Sequence, residues 1–370
     1  MNTLQRVDRS QMTADDIFVE LQAKIGGYAP AFELRLQAEL AYEIEQLKRQ
    51  RNAVILGHNY MEPALFHSVP DFVGDSLDLS RKAAQTEKDI IVFCGVKFMA
   101  ETAKILNPTR TVLIPSLEAG CSLAASITAA DVRALKARFP GVPVVSYVNT
   151  YADVKAESDI CCTSGNAAAV VDSLGVDTVI FLPDEYLGGN VARELGWNIV
   201  YPDMKSTAKN AKNAKEEQEL NLSDLSGLRG KTMIGWRGRC EVHEKFTVND
   251  IQTVRAQFPD VAVLSHPECS PDVTAASDFS GSTNAIIKFV KESQAPQYLV
   301  LTECSMGDNI AAQNPQKDML RLCMIRCPHM NTITMEDTLA ALKLNRYVIE
   351  VPEDIRVRAA RSVQRMIEIG

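Results

Sequence analysis

No run of about 18 apolar residues occurs in the 370-residue sequence, so no stretch reads as a membrane-spanning helix. A surplus of positive charge is also missing. Lys and Arg total 39 against 47 Asp and Glu, a net charge of −8. That argues against binding to nucleic acid or to an anionic membrane, which both need a basic surface, and no basic helix-turn-helix pattern is seen. Anionic small molecules stay open, because helix N-termini attract them without any net charge. The first twenty residues mix both signs of charge and hold no apolar stretch, so a secretory leader is not expected and a cytoplasmic location is. Disulfide scaffolding is disfavoured as well. Nine cysteines are an odd number, and a reducing compartment leaves ligation, catalysis or burial as their uses.

What is present is an ordinary globular composition, 46% apolar and 23% charged, with length for two or three domains. Within it lies a threefold repeat. Cys121, Cys240 and Cys327 are each followed seven positions later by a threonine and three later by an aspartate: Thr128 and Asp131, Thr247 and Asp250, Thr334 and Asp337. Each Thr-x-x-Asp opens an amphipathic run and resembles a capping box with Asp in place of Glu. Each cysteine is therefore expected in a loop just before a helix.

The register continues beyond these helices. Phe139-Pro140 and Phe258-Pro259 precede valine-rich strands that end at Tyr147/Asn149 and His266/Glu268. An earlier strand from Ala53 ends at His58/Tyr60. A small hydroxyl residue then opens a further helix in each unit, at Ser76, Ser164 and Ser282-Thr283, and β-rich runs follow at 90–93, 178–182 and 298–301. The middle unit is longer, and the lysine-rich run 206–226 fills most of the excess as a surface excursion.

This alternation predicts an α/β protein of three similar αβα domains with short parallel sheets about a pseudo-threefold axis. The expected bounds are an N-terminal extension 1–31, a first domain 32–118 with 330–370, a second 119–238 and a third 239–329. Ligands of α/β sheets bind outside the strand C-termini. Three such ends facing one axis would surround one cavity with three cysteines, three polar pairs and three helix N-termini.

Three converging cysteines suggest a metal. Zinc takes four protein ligands in structural sites or three plus water in catalytic ones. A 4Fe-4S cluster usually takes four cysteines, so three would leave one iron open as a Lewis acid. A hydro-lyase using such a cluster, or an iron–sulfur or zinc sensor, are alternatives on this evidence.

The motifs HisAsnTyr (58–60), ValGlyAspSer (73–76), TyrValAsnThr (147–150), CysThrSerGlyAsn (162–166), HisProGluCys (266–269), GlySerThr (281–283) and CysProHisMetAsn (327–331) together resemble the quinolinate synthase family, from about Val54 to Leu344. The resemblance implies condensation of iminosuccinate with dihydroxyacetone phosphate to quinolinate, the pyridine precursor of NAD, with loss of phosphate and water. It implies one 4Fe-4S cluster on Cys121, Cys240 and Cys327. It also implies a supplier of iminosuccinate, L-aspartate oxidase or dehydrogenase. Carried over by position, His58, Ser76, Tyr147, Asn149 and Ser164 would hold carboxylates. His266, Ser282 and Thr283 would complete the pocket towards the phosphate, and Tyr60 and Glu268 would transfer protons. His58 and Tyr147 are counted with the catalytic set as well. Cys323 lies four residues before Cys327, where some longer members carry a tighter cysteine cluster with a regulatory disulfide; redox regulation is left open here.

The remaining candidates have plainer uses. Cys94, Cys161, Cys162, Cys269 and Cys304 lack the repeat context and are expected to pack. Asp75 and the GlySerThr motif can serve as helix caps. Met99 is assigned to the core, His67 and His329 to the surface or the surroundings of the site. His243, three positions after Cys240, is left outside it. The run 353–368 reads as an amphipathic helix with one solvated face.

Overall fold

The computed structural model describes residues 9, 11–202, 230–320 and 325–369. The 206–226 run and Cys323, with its question of a disulfide, lie outside the described residues.

Thirteen described strands form three wholly parallel sheets. The first contains β1 (Ala53–His58), β2 (Phe72–Gly74), β3 (Ile90–Cys94) and β4 (Thr111–Leu113) in the order β2-β1-β3-β4. The second contains β5 (Val144–Tyr147), β6 (Ile160–Cys162), β7 (Thr178–Leu182), β8 (Asn198–Val200) and β9 (Thr232–Gly235), ordered β6-β5-β7-β9-β8. The third contains β10 (Val261–Ser265), β11 (Phe279–Ser280), β12 (Gln297–Leu301) and β13 (Asp318–Leu320), ordered β11-β10-β12-β13. The shared order is the expected repeat, with β8 added at the edge of the middle sheet. Central strands such as AlaValIleLeuGlyHis and IleIleValPheCys are buried throughout, as parallel strands covered on both faces must be.

The Thr-x-x-Asp signals act as read. Thr128 Oγ1 accepts from Asp131 N at 3.3 Å while Asp131 accepts from Thr128 N at 2.9 Å, and Thr247 and Asp250 do the same at 3.2 and 2.8 Å. Thr334 accepts from Asp337 N at 3.0 Å. Each cap is worth about 1 kcal/mol and fixes where its helix starts, so the cysteine stays in the loop ahead of it. A third reciprocal box, Thr13 with Asp16, starts the helix Ala14–Ile25. That helix buries Ile17, Leu21 and Ile25 in the same core as the first sheet.

A further repeat joins the sheets from within. Asp71 accepts from Ile55 N at 2.9 Å and donates its own N–H to Ile55 O at 2.9 Å. Asp159 makes the same pair with Val144 (2.8 and 3.0 Å), and Asp278 with Val263 (2.8 and 2.8 Å). In every unit an aspartate thus locks the first strand to the approach of its neighbour. The chain end spans two sheets. Asn166 donates to Met366 O (3.1 Å) and Ile369 O (2.9 Å), and Arg81 donates to Ile367 O (3.0 Å). The helix Glu353–Glu368 is amphipathic, with Ala359, Ser362, Val363 and Met366 buried.

Candidate active site

The C-terminal ends of β1, β5 and β10 open on one cavity. His58 ends β1 and Tyr147 ends β5, with Tyr60 and Asn149 two residues on; His266 and Glu268 follow β10. All six line the cavity, together with Ser76, Ser164 and Thr283 from the helix-opening loops and with Cys121, Cys240 and Cys327. Ser282 is placed differently. It is the N-cap of the helix Thr283–Glu292, accepts from Ala285 N at 3.3 Å, and faces a neighbouring groove between the second and third sheets. Asp75 is likewise a cap, accepting from Leu77 N (3.1 Å) and Asp78 N (3.0 Å), while it also reaches the cavity wall. Met99 is buried and lines the cavity too.

Two histidines are set by the same local device. The Tyr60 N–H donates to His58 Nδ1 at 3.2 Å, and the Glu268 N–H donates to His266 Nδ1 at 3.3 Å. A backbone N–H only donates, so each neutral ring carries its proton on Nε2. His266 Nε2 then lies 3.2 Å from Ser164 Oγ, which accepts. Burial lowers His58 to about 4 and His266 to about 3, against the opposing pull of Glu268, so both are neutral donors near pH 7.

Glu268 is the charged centre. Burial works to raise its carboxyl, but His243, His266 and Tyr147 outweigh that and hold it well below the ordinary range. The Tyr147 hydroxyl donates to Oε1 at 2.5 Å and Asn149 Nδ2 at 3.2 Å; His243 Nδ1 lies 2.7 Å from Oε2. Burial first, and then the Glu268 charge, raise both Tyr60 and Tyr147, so the phenols stay protonated.

His243 is the main residue that sequence reasoning left out. It is 1% exposed, stacks on His266 with ring centroids 4.7 Å apart, and brings Nδ1 to 3.2 Å from Cys240 Sγ. Its signal was the Cys-x-x-His spacing, which is weak alone. His329 lines the cavity rim, paired with Glu241 at 3.1 Å. His67, expected at the surface or near the site, is 4% exposed and instead accepts at its carbonyl from Arg9 Nη2. Lys155 was also unforeseen. Fully buried, it donates to Val148 O at 2.8 Å and to Thr150 O, holding the turn that presents Tyr147 and Asn149.

The cysteines divide as their contexts suggest. Cys94, Cys161, Cys162, Cys269 and Cys304 are buried; Cys121, Cys240 and Cys327 are partly open to the cavity. Cys121 caps the short helix Ser122–Ala125, and Cys240 and Cys327 precede short 3₁₀ turns at His243–Lys245 and Met330–Thr332. Burial pushes the Cys121 thiol up to about 12 and Cys327 to about 11, and raises Cys240 too. Thiolates at this wall therefore need a bound cation, which would deprotonate them on ligation. Among the described residues, the ligand atoms grouped within 4.8 Å of one another are those of Cys240, His243 and Glu268, not the three thiols.

Among the described residues, no Lys or Arg lines the cavity. An anion bound there meets neutral donors, the N-termini of the helices Ser76–Gln85 and Thr283–Glu292, and whatever the cysteines hold. Asn149 Oδ1 has no protein partner among the described residues and is free for a ligand donor. Among the described residues, no helix is long and apolar enough to cross a membrane.

The chain is similar to known proteins over most of its length. A family profile described as Quinolinate synthetase A protein matches residues 42–368. Quinolinate synthase 2 of Mesorhizobium japonicum is 52% identical over 340 residues, covering 92% of this chain and 93% of that protein. The quinolinate synthase of Agrobacterium fabrum is 50% identical over 326 residues (88% and 84%), and that of Xylella fastidiosa 9a5c is 49% identical over 326 (88% and 86%). By family profile and by relatives alike, the chain belongs to the quinolinate synthetase A family.

Proposed function

We propose that this protein condenses iminosuccinate with dihydroxyacetone phosphate, releasing phosphate and water to give quinolinate, on a 4Fe-4S cluster held by Cys121, Cys240 and Cys327. The observation that carries the reading is the convergence of three polar strand ends and three part-exposed thiols on one cavity. The three units, 32–118 with 330–370, 119–238 and 239–329, are then related by a pseudo-threefold axis through it. The setting is the cytoplasm, with L-aspartate oxidase or dehydrogenase supplying the unstable imine.

When bound, the cluster supplies an open iron as Lewis acid, suited to polarising a hydroxyl or carboxylate. The chain's own groups do the rest. His58, Ser76, Tyr147, Asn149 and Ser164 hold carboxylates with neutral donors. His266 and Thr283 extend that donor set towards the phosphate, and Ser282 braces the same helix start as its cap. Glu268 is the base, ionised and oriented by Tyr147 and His243. Tyr60, on the facing strand end, is the second proton-transfer group. The apolar side formed by Val96, Phe98 and Met99 offers water no hydrogen-bonding side chain, which would limit loss of the imine to hydrolysis.

The test is iron and acid-labile sulfide per chain on protein purified without oxygen, followed by a quinolinate assay with both substrates. Four irons, four sulfides and product are expected. A cluster without product overturns the reaction while keeping the cysteine site. Protein never exposed to air and free of iron overturns both.

A further inference from the structure

Asn59 stands between His58 and Tyr60, does not itself line the cavity and is 1% exposed. Its backbone is fixed: its N–H donates to Gly74 O at 3.1 Å, and its carbonyl accepts from Asn309 Nδ2 at 3.2 Å. Its side-chain Nδ2 donates to Thr283 Oγ1 at 2.8 Å and to Asn284 Oδ1 at 2.9 Å, while its Oδ1 has no protein partner among the described residues. Asn284 Nδ2 in turn donates to Asp78 Oδ2 at 2.7 Å. This line alternates between segments that follow strands of the first sheet and segments that follow strands of the third. Its direction is set at Asp78. A carboxylate only accepts, so Asp78 turns the amide nitrogen of Asn284 towards itself and the amide oxygen towards Asn59. That oxygen needs a donor, which turns the Asn59 nitrogen towards it and towards Thr283. Thr283 Oγ1 is therefore an acceptor within the protein. Among the described residues this is its one side-chain hydrogen bond, so its own proton is left to donate into the cavity that it lines.

We propose that Asn59 is a positioning residue that sets the Thr283 hydroxyl as a hydrogen-bond donor to the phosphate of the triose substrate. The inference rests on the reading that turns Thr283 towards the phosphate. Direction matters at this place. A hydroxyl donates or accepts, and an anion is attracted only by the first. Among the described residues no Lys or Arg lines the cavity, so no cationic side chain offsets a hydroxyl that turns its lone pairs to the ligand. An amide nitrogen, itself oriented through Asn284 by Asp78, removes that choice. The donor is then in place before the anion arrives, and no orientation has to be fixed on binding.

The experiment compares Asn59→Leu, Thr283→Val and the double variant with the unaltered protein, all purified without oxygen and carrying their cluster. Leucine keeps the branched shape of asparagine and removes its donors without adding charge. KM is measured for each substrate, and the dissociation constant of inorganic phosphate is measured by calorimetry. With Thr283→Val we expect phosphate binding and the KM for dihydroxyacetone phosphate to weaken by about tenfold to a hundredfold, the scale of a hydrogen bond to a charged group. Asn59→Leu should weaken both by about fivefold or more, leave iron content and the KM for iminosuccinate nearly unchanged, and add less than about twofold where Thr283 is already valine. Phosphate affinity in Asn59→Leu within about twofold of the original overturns the inference. So does an equal loss on the valine background, which would mean a general loosening of the cavity. A loss confined to the iminosuccinate KM overturns it too, since the hydroxyl then serves the other anion. If Asn59→Leu costs iron or folding, Asn284→Ala decides. It removes the anchor and leaves Asn59 and Thr283 in place; weakened phosphate binding supports the inference, and unchanged binding overturns it. The reaction fails separately: if the unaltered protein makes no quinolinate the reaction falls, and phosphate calorimetry alone then decides the role of Asn59.

Discussion

The Tyr147 hydroxyl donates to Glu268 Oε1 at 2.5 Å although the two residues end strands of different sheets. A contact this short to an ionised carboxylate is charge-assisted and about twice as strong as a neutral one. It holds the carboxylate in place and ties two units together at the cavity. Glu268→Gln should fold and keep its cluster while turnover falls by at least about a hundredfold, since an amide cannot accept the proton. Steady-state kinetics beside iron content check this, and near-normal turnover would remove Glu268 from the chemistry.

On the proposed reading, serine at Cys121, Cys240 or Cys327 should abolish cluster binding, because each would supply one of three thiolates. Serine at Cys94 or Cys304 should leave iron content unchanged, as both are packed away from the cavity. Iron and sulfide analysis of the five variants decides the matter. Full iron in Cys240→Ser would break the ligand assignment.

Gly238 precedes the Cys240 loop where two segments cross. Its N–H donates to Pro183 O at 3.0 Å and its carbonyl accepts from Glu185 N at 2.8 Å. A Cβ there would lie 2.5 Å from Pro183 O and 2.5 Å from Ser126 Oγ. Pro183 O is backbone and cannot yield cheaply, so Gly238→Ala should displace the loop. Reduced iron occupancy together with a lower melting temperature is expected, and a variant with normal iron would show that the loop absorbs the methyl.

His67 is lowered to about 3, by burial first and then by the charges of Lys24 and Arg9. The unfolded chain takes up this proton below pH 6.5, whereas the native state resists it until about 3. Stability is therefore full above 6.5 and is lost as pH falls towards 3, by about 1.4 kcal/mol per unit well inside that window. His67→Phe should remove about 2 kcal/mol of the stability difference between pH 7 and pH 5, read by denaturant unfolding at both values. An unchanged difference would mean the ring is protonated or exposed in the native state.

Lys155→Met should strand the Val148 and Thr150 carbonyls and the nearby Glu101 charge. Breaking such a buried set costs about 3–5 kcal/mol. Because the turn carries Tyr147 and Asn149, substrate KM should rise as well. Calorimetry and kinetics test the two effects separately; a stable variant with an unchanged KM would leave Lys155 without this role.

Much of this was legible in the sequence because local rules set it. Capping threonines at Thr128, Thr247 and Thr334 place helix starts within one turn, and apolar runs place the strands that end at or just before His58, Tyr147 and His266. Ser282 was harder, since a serine at a helix start reads equally as a cap or a ligand, and packing used its hydroxyl as the cap. His243, Thr302 beside it and Lys155 were illegible for a different reason. Their partners lie 25 to 242 positions away or are backbone carbonyls of a turn, and no local pattern encodes such pairs.

The sequence by itself determined the three repeated units, the cysteines ahead of their helices, and the polar pairs at the strand ends, because these follow from periodicity and capping within some thirty residues. The tertiary structure decided the rest. It set which polar groups meet across sheets, which histidines are buried and neutral, and which thiols open on the cavity. Those depend on desolvation and on distances between distant segments, quantities that exist only once the three sheets have packed around a common space.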